Sequence, residues 1–119
     1  MLFVVSAPAA WATVVSCEQV IASPSTYYGK ETNVECTYLS TKKGSKAVFL
    51  NSTSDWKKGF SLVIWNTYAS KFPSSPETFY LNKTLIVKGV VQQHLARPTG
   101  AERPQILLKD TSQILSINQ

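Results

Sequence analysis

Two apolar runs, Ala47-Val48-Phe49-Leu50-Asn51 and Phe60-Ser61-Leu62-Val63-Ile64-Trp65, flank the polar stretch 52–59, which contains Asp55 and Gly59. Both runs are rich in β-branched and aromatic residues, so the pattern predicts a hairpin with a long loop. Side chains alternate across a strand, which puts Phe60, Leu62 and Ile64 on one face and Ser61, Val63 and Trp65 on the other. The first face suits a core. The second is not simply polar, and what touches it is the functional question.

The same period of two recurs along the chain. Thr32, Val34, Cys36 and Tyr38 alternate with Asn33, Glu35 and Thr37, which predicts a half-buried first strand. The polar connection 40–46 holds Gly44 and three lysines before the hairpin opens at Ala47. After Trp65 the alternation breaks, with a helical turn expected over 67–72. Ser75 is then expected as an N-cap, with Pro76 at the first helical position and Glu77 in the first turn. The resulting short helix, 76–81, needs Phe79 and Leu81 packed on the sheet to be stable. Leu85, Val87, Gly89 and Val91 form the inward face of a fourth strand, where Gly89 suggests a bend or a bulge. A long connection, 92–103, precedes a fifth strand at 104–109 with Ile106 and Leu108 inward. Residues 113–117 add a short terminal strand, and residues 18–22 a short helix before Pro24.

This is an all-β chain of five main strands with one short helix between strands three and four. That element order is the one of the OB-fold, a five-stranded Greek-key barrel. An antiparallel meander capped by a helix is the competing arrangement. The length of 119 residues fits one domain, and the 44% apolar content is ordinary for a globular protein. Residues 27–117 are read as the domain and 17–26 as a linker.

Residues 1–16 carry no charge and fit the apolar region of a signal peptide, with Ala10-Trp11-Ala12 as a small-x-small cleavage site. Val14-Val15-Ser16-Cys17 also resembles a bacterial lipobox, in which Cys17 would carry lipid. The basic residue that normally precedes such a stretch is missing, and a packed N-terminal strand or helix is the competing reading. A signal implies export: periplasmic, lipid-anchored or secreted. Without one the chain stays cytoplasmic. The membrane enters only through that signal or a lipid on Cys17. The two cysteines, Cys17 and Cys36, are open to pairing in an oxidising compartment, and a buried free thiol at Cys36 is the other expectation. No CxxC or Cys/His spacing suggests zinc, and no cofactor is expected.

A set of segments also carries a family resemblance. They are Tyr28-Gly29-Lys30, Val48-Phe49-Leu50-Asn51, Phe60-Ser61-Leu62-Val63-Ile64-Trp65, Tyr80-Leu81-Asn82-Lys83-Thr84-Leu85-Ile86-Val87-Lys88-Gly89, and Arg103-Pro104-Gln105-Ile106 followed by Lys109-Asp110-Thr111-Ser112-Gln113-Ile114. In that order they resemble a family of small bacterial OB-fold domains, found alone in exported proteins or beside nuclease domains. The resemblance spans residues 27–114 and implies an OB-fold that binds nucleic acid. Two departures are Cys36, where such domains commonly carry Gly, and a longer insertion at 97–102.

Catalysis finds no footing in the sequence. His94 is the one histidine and sits in an expected loop, the seven acids are scattered, and no Gly-rich phosphate loop occurs. The expectation is therefore no enzyme. The net charge of +5, from 12 Lys+Arg against 7 Asp+Glu, suggests a polyanionic partner. OB-folds bind across strands two and three and the loops joining strands one to two and four to five. Those loops carry Lys42, Lys43 and Lys46, and His94, Arg97 and Arg103. The loop between strands two and three adds Trp56, Lys57 and Lys58. Trp65, Trp56 and Phe49 are the candidate platforms for stacked bases. The expected function is a non-catalytic, monomeric module for single-stranded DNA or RNA. An exported module that holds an envelope protein, or one that binds oligosaccharide, is the alternative.

Overall fold

A computed structural model describes residues 13–55, 58–96 and 101–118, and gives the backbone alone for 94–96, 101 and 102. The apolar stretch 1–12, with its cleavage motif, and residues 56, 57 and 97–100 lie outside the described residues. In chain order the elements are β1 (Val15–Ser16), α1 (Cys17–Ala22), α2 (Pro24–Tyr27), β2 (Glu31–Thr37), β3 (Ser40–Lys43), β4 (Ala47–Asn51) and β5 (Ser61–Trp65). A 3-10 turn at Asn66–Lys71 and α3 (Pro76–Phe79) follow. The chain then adds β6 (Thr84–Val90), β7 (Gln92–Ala96), β8 (Ala101–Leu107), a 3-10 turn at Thr111–Gln113 and β9 (Ile114–Asn118).

The strands form two sheets, ordered β1-β2-β6-β9 and β3-β4-β5-β8-β7. Neither closes into a barrel. Two stretches of chain pass from one sheet to the other: β2 continues into β3 through Tyr38 and Leu39, and β6 into β7 through Val91. Tyr38 and Val91 are fully buried at these two corners. The core lies between the sheets and is built from the alternating apolar positions, among them Val34, Val48, Leu50, Leu62, Ile64, Leu85, Val87 and Ile106.

The single five-stranded barrel expected from the sequence is thus replaced by nine strands in two sheets among the described residues. Two connections turned out to be paired. Ser40–Lys43 is polar, yet it forms an edge strand against β4, with Lys42 opposite Phe49; an edge strand needs backbone partners on one side only, and lysines suit it. The expected long connection 92–103 is a hairpin in which β7 pairs with β8. The parallel pairing of β5 with β8, which sets Ser61 opposite Gln105, crosses 44 positions of sequence by the difference of those numbers.

Three local expectations are corrected. Ser75 does not cap α3 with its side chain: it sits at φ 56 in the left-handed region, although Pro76 and Glu77 hold the expected first-turn places. The helix stops at Phe79, and both Phe79 and Leu81 remain exposed while Tyr80 is the buried anchor. Phe79 stacks edge-on against Tyr80, with centroids 4.9 Å apart, and Lys83 Nζ lies over its ring at 3.9 Å from the centroid. Gly89 marks a close approach, not a bulge. A Cβ there would come within 2.5 Å of Ile106 Cγ2, so β6 can press onto β8 only without a side chain. The register shift in β6 falls between Ile86 and Val87.

Residues 17–26, expected as a linker, hold α1 and all but the last residue of α2. Ser16 and Gln19 form a reciprocal capping box at the start of α1. Cys17 and Val20 are in the core, and Cys17 is bridged to Cys36 of β2. Both cysteines are consumed, which removes the buried free thiol. The Cys17 sulfur is the atom a lipid thioether would need, so the bridged form cannot carry one.

Candidate nucleic-acid interface

The outer face of the five-stranded sheet follows directly from its register. Val48, Leu50, Leu62 and Ile64 turn into the core, so Ala47, Phe49 and Asn51 of β4 and Ser61, Val63 and Trp65 of β5 turn away from it. Pairing lines these residues up in rows. Ser40, Asn51, Ser61 and Gln105 form one row; Lys42, Phe49, Val63 and Leu107 form the next; Ala47 and Trp65 form the third.

A cleft of about 400 Å³ opens on the first two rows, lined by Ser40, Thr41, Lys42, Phe49, Asn51, Ser54 and Arg103. Its floor is a polar line inside the protein. Arg103, only 3% exposed, donates from Nη1 to Ser61 Oγ, and Ser61 Oγ lies 2.7 Å from Asn51 Oδ1. Burial lowers the Arg103 pKa from the ordinary arginine value, yet a guanidinium remains a cation at neutral pH. The wall is tied down as well. Ser40 Oγ donates to the Thr53 carbonyl at 2.7 Å, and Ser52 Oγ accepts from the Phe60 amide at 2.8 Å. The first bond ties the start of the β4–β5 loop to β3, and the second joins the loop's two ends.

Trp65 is 40% exposed. It lies on a neighbouring hollow lined by Ser45, Lys46, Asn66, Thr67 and Tyr68. Asn66 holds this hollow's rim, donating from Nδ2 to the Ser45 carbonyl at 2.8 Å and from its amide to the Lys46 carbonyl at 2.9 Å. Since Phe49 pairs with Val63 and Ala47 with Trp65, the two aromatic rings are diagonal neighbours on one face. Such neighbours stand roughly 7–8 Å apart along the pleat.

Of the residues expected from the sequence, Lys42, Phe49 and Arg103 meet in the cleft, and Lys46 and Trp65 meet in the hollow beside it. Lys43 is opposite Val48 and exposed on the other side of β3 from Lys42, so it does not line the cleft. Lys58 is exposed in the β4–β5 loop. His94 pairs opposite Arg103 in the backbone ladder, with its side chain outside the described part. Trp56, Lys57 and Arg97 lie outside the described residues. Sequence reasoning missed Asn51 and Ser61 as floor residues, and Ser40, Thr41 and Ser54 as lining. The available signal was Asn51 and Ser61 themselves, polar residues in two otherwise apolar central strands. Among the described residues, no group of three His, Cys, Asp or Glu side chains could hold a metal ion.

No family model matches the chain, and a search of curated proteins returns no match. The expected kinship with small bacterial domains therefore gains no support from either comparison. Solved structures do match. The chain is similar to part of an aspartyl-tRNA synthetase of Leishmania major Friedlin, with a TM-score of 0.53, 12% identity, and coverage of 92% of this chain and 22% of that one. It is equally similar to part of the aspartyl-tRNA synthetase of Entamoeba histolytica, with a TM-score of 0.53, 12% identity, and coverage of 98% and 23%. At that identity the likeness is one of fold. The chain spans less than a quarter of either protein.

Proposed function

We propose that the chain is a non-catalytic, monomeric OB-fold module that binds single-stranded nucleic acid, RNA first, across β4 and β5. The observation that carries this reading is the cleft that gathers Phe49, Lys42 and Arg103. An aromatic ring beside an exposed cation is what a base and its neighbouring phosphate require. The fold reading rests on the ladder order. The bent pair β2/β3 serves as strand one, β4 and β5 as strands two and three, the bent pair β6/β7 as strand four and β8 as strand five. The helix α3 falls between strands three and four in this scheme. The structural neighbours support RNA because both are named for a tRNA they act on. Their enzymatic activity is not carried over.

The test is titration of the purified protein into a labelled single-stranded RNA, followed by fluorescence anisotropy, at low and moderate salt. Binding that weakens as salt rises is the expected result. No binding at about 50 mM salt overturns the reading. An affinity indifferent to salt points instead to the oligosaccharide alternative.

We also propose that the chain works in an oxidising compartment, as the Cys17–Cys36 bridge suggests. N-terminal sequencing of the native protein checks it: a start at or beyond Thr13 agrees with export, and an intact Met1 does not.

A further inference from the structure

We propose that the floor of the cleft is wired to read base identity: it offers a hydrogen-bond donor and selects bases that carry a carbonyl at their pairing edge over adenine. This rests on the nucleic-acid reading and assigns the specificity of the same site.

The placement of protons along the floor fixes what it offers a ligand. A guanidinium donates and never accepts. In its contact with Arg103, therefore, the Ser61 hydroxyl must be the acceptor. A serine hydroxyl has one proton, and here it is donated to Asn51 Oδ1, at 2.7 Å. The Asn51 amide is thereby held in one of its two flipped orientations: carbonyl toward Ser61, NH₂ away from it. Asn51 lines the cleft beside Phe49, so the NH₂ is the edge it turns to a ligand there.

Asparagine ordinarily reads adenine by using both ends at once, the carbonyl on N6 and the amide on N7. Here Ser61 already engages the carbonyl, and a base lying on Phe49 would meet the amide donor. Uracil and cytosine offer a carbonyl to such a donor, and so does guanine through O6. Adenine has no carbonyl; where its N1 or N7 meets the donor, the adjacent exocyclic amine finds the Asn51 carbonyl already taken by Ser61 and loses the second bond. The orientation of one buried amide, set two residues away by Arg103, becomes the specificity element. Arg103 is then a positioning residue, acting through Ser61.

The experiment compares affinities for short single-stranded homopolymers of uridine, cytidine and adenosine, measured by anisotropy at one salt concentration. For the wild-type protein, uridine and cytidine polymers are expected to bind about ten-fold more tightly than the adenosine polymer, the scale of one well-placed base contact. Adenosine polymers stack on themselves, so the deciding quantity is how the uridine-to-adenosine ratio changes on substitution. In Asn51→Ala the ratio should fall toward the value set by self-stacking alone. In Asn51→Asp, which replaces the donor with an acceptor, it should shift further toward adenosine. Ser61→Ala releases the amide and should lower the ratio, whatever it does to overall affinity. Circular dichroism confirms that each variant is folded; if none folds, wild-type affinities for single uridine and adenosine nucleotides, which cannot self-stack within a chain, decide, and equal affinities overturn the inference. Tight binding with no preference, or an unchanged ratio in Asn51→Ala, overturns the inference and leaves the binding reading standing. No binding of any homopolymer overturns both.

Discussion

Phe49 and Lys42 stand opposite each other on adjacent strands and share one cleft, so their contributions to binding are separable by kind. Removing the ring should weaken RNA binding at every salt concentration. Phe49→Ala is expected to cost ~1–3 kcal/mol by titration. Removing the charge should act through counterions: Lys42→Ala is expected to flatten the plot of log affinity against log salt by about 0.7. Tyr38 makes a prediction for stability. Its hydroxyl is buried with no hydrogen-bond partner among the described residues, and burial raises its pKa well above the ordinary tyrosine value. A raised pKa keeps the folded state protonated where the unfolded chain has already lost its proton. The contribution is therefore fully present below about pH 10 and is lost as pH rises above it. Tyr38→Phe should blunt alkaline unfolding and raise stability at neutral pH by about 1 kcal/mol, as read from denaturant melts at both pH values. Much at this scale was legible: alternation alone put Val34, Leu62, Leu85 and Ile106 in the core. Asn51 and Ser61 were not legible as a unit, because their contact depends on the β4–β5 register and on an arginine 42 positions beyond Ser61.

Among the elements, the first four expected strands were readable to within a residue or two, and the fifth begins three residues before the expected Pro104, at Ala101. The edge strands were not readable. Ser40–Lys43 and Gln92–Ala96 have no apolar stripe, and only the backbone of a neighbour makes them strands. The tie between α1 and β2 likewise needed coordinates, since two cysteines 19 residues apart are open to several fates. Opening that bridge, by Cys17→Ala with Cys36→Ala or by reductant, should cost about 3 kcal/mol in a denaturant melt, most of it through the unfolded chain. A loss near zero would mean that α1 is held by packing of Val20 alone. Gly89 tests the contact between the sheets: Gly89→Ala should destabilise by about 1–3 kcal/mol, because its methyl group would meet Ile106.

Over the whole molecule, charge is distributed unevenly. The described residues from β3 through β5 carry Lys42, Lys43, Lys46 and Lys58 against Asp55 alone, whereas α1 and β2 carry Glu18, Glu31 and Glu35. A polyanion approaching the five-stranded sheet therefore meets a cationic surface and little opposing charge. If Lys42 and Lys46 each meet a phosphate, the salt plot for single-stranded RNA should have a slope of about −1.4. The corners at Tyr38 and Val91 carry a further consequence. A segment shared by two ladders cannot fray in one without loosening the other, so occupancy on β4 should slow deuterium uptake at amides of β2 and β6, on the side no oligonucleotide touches.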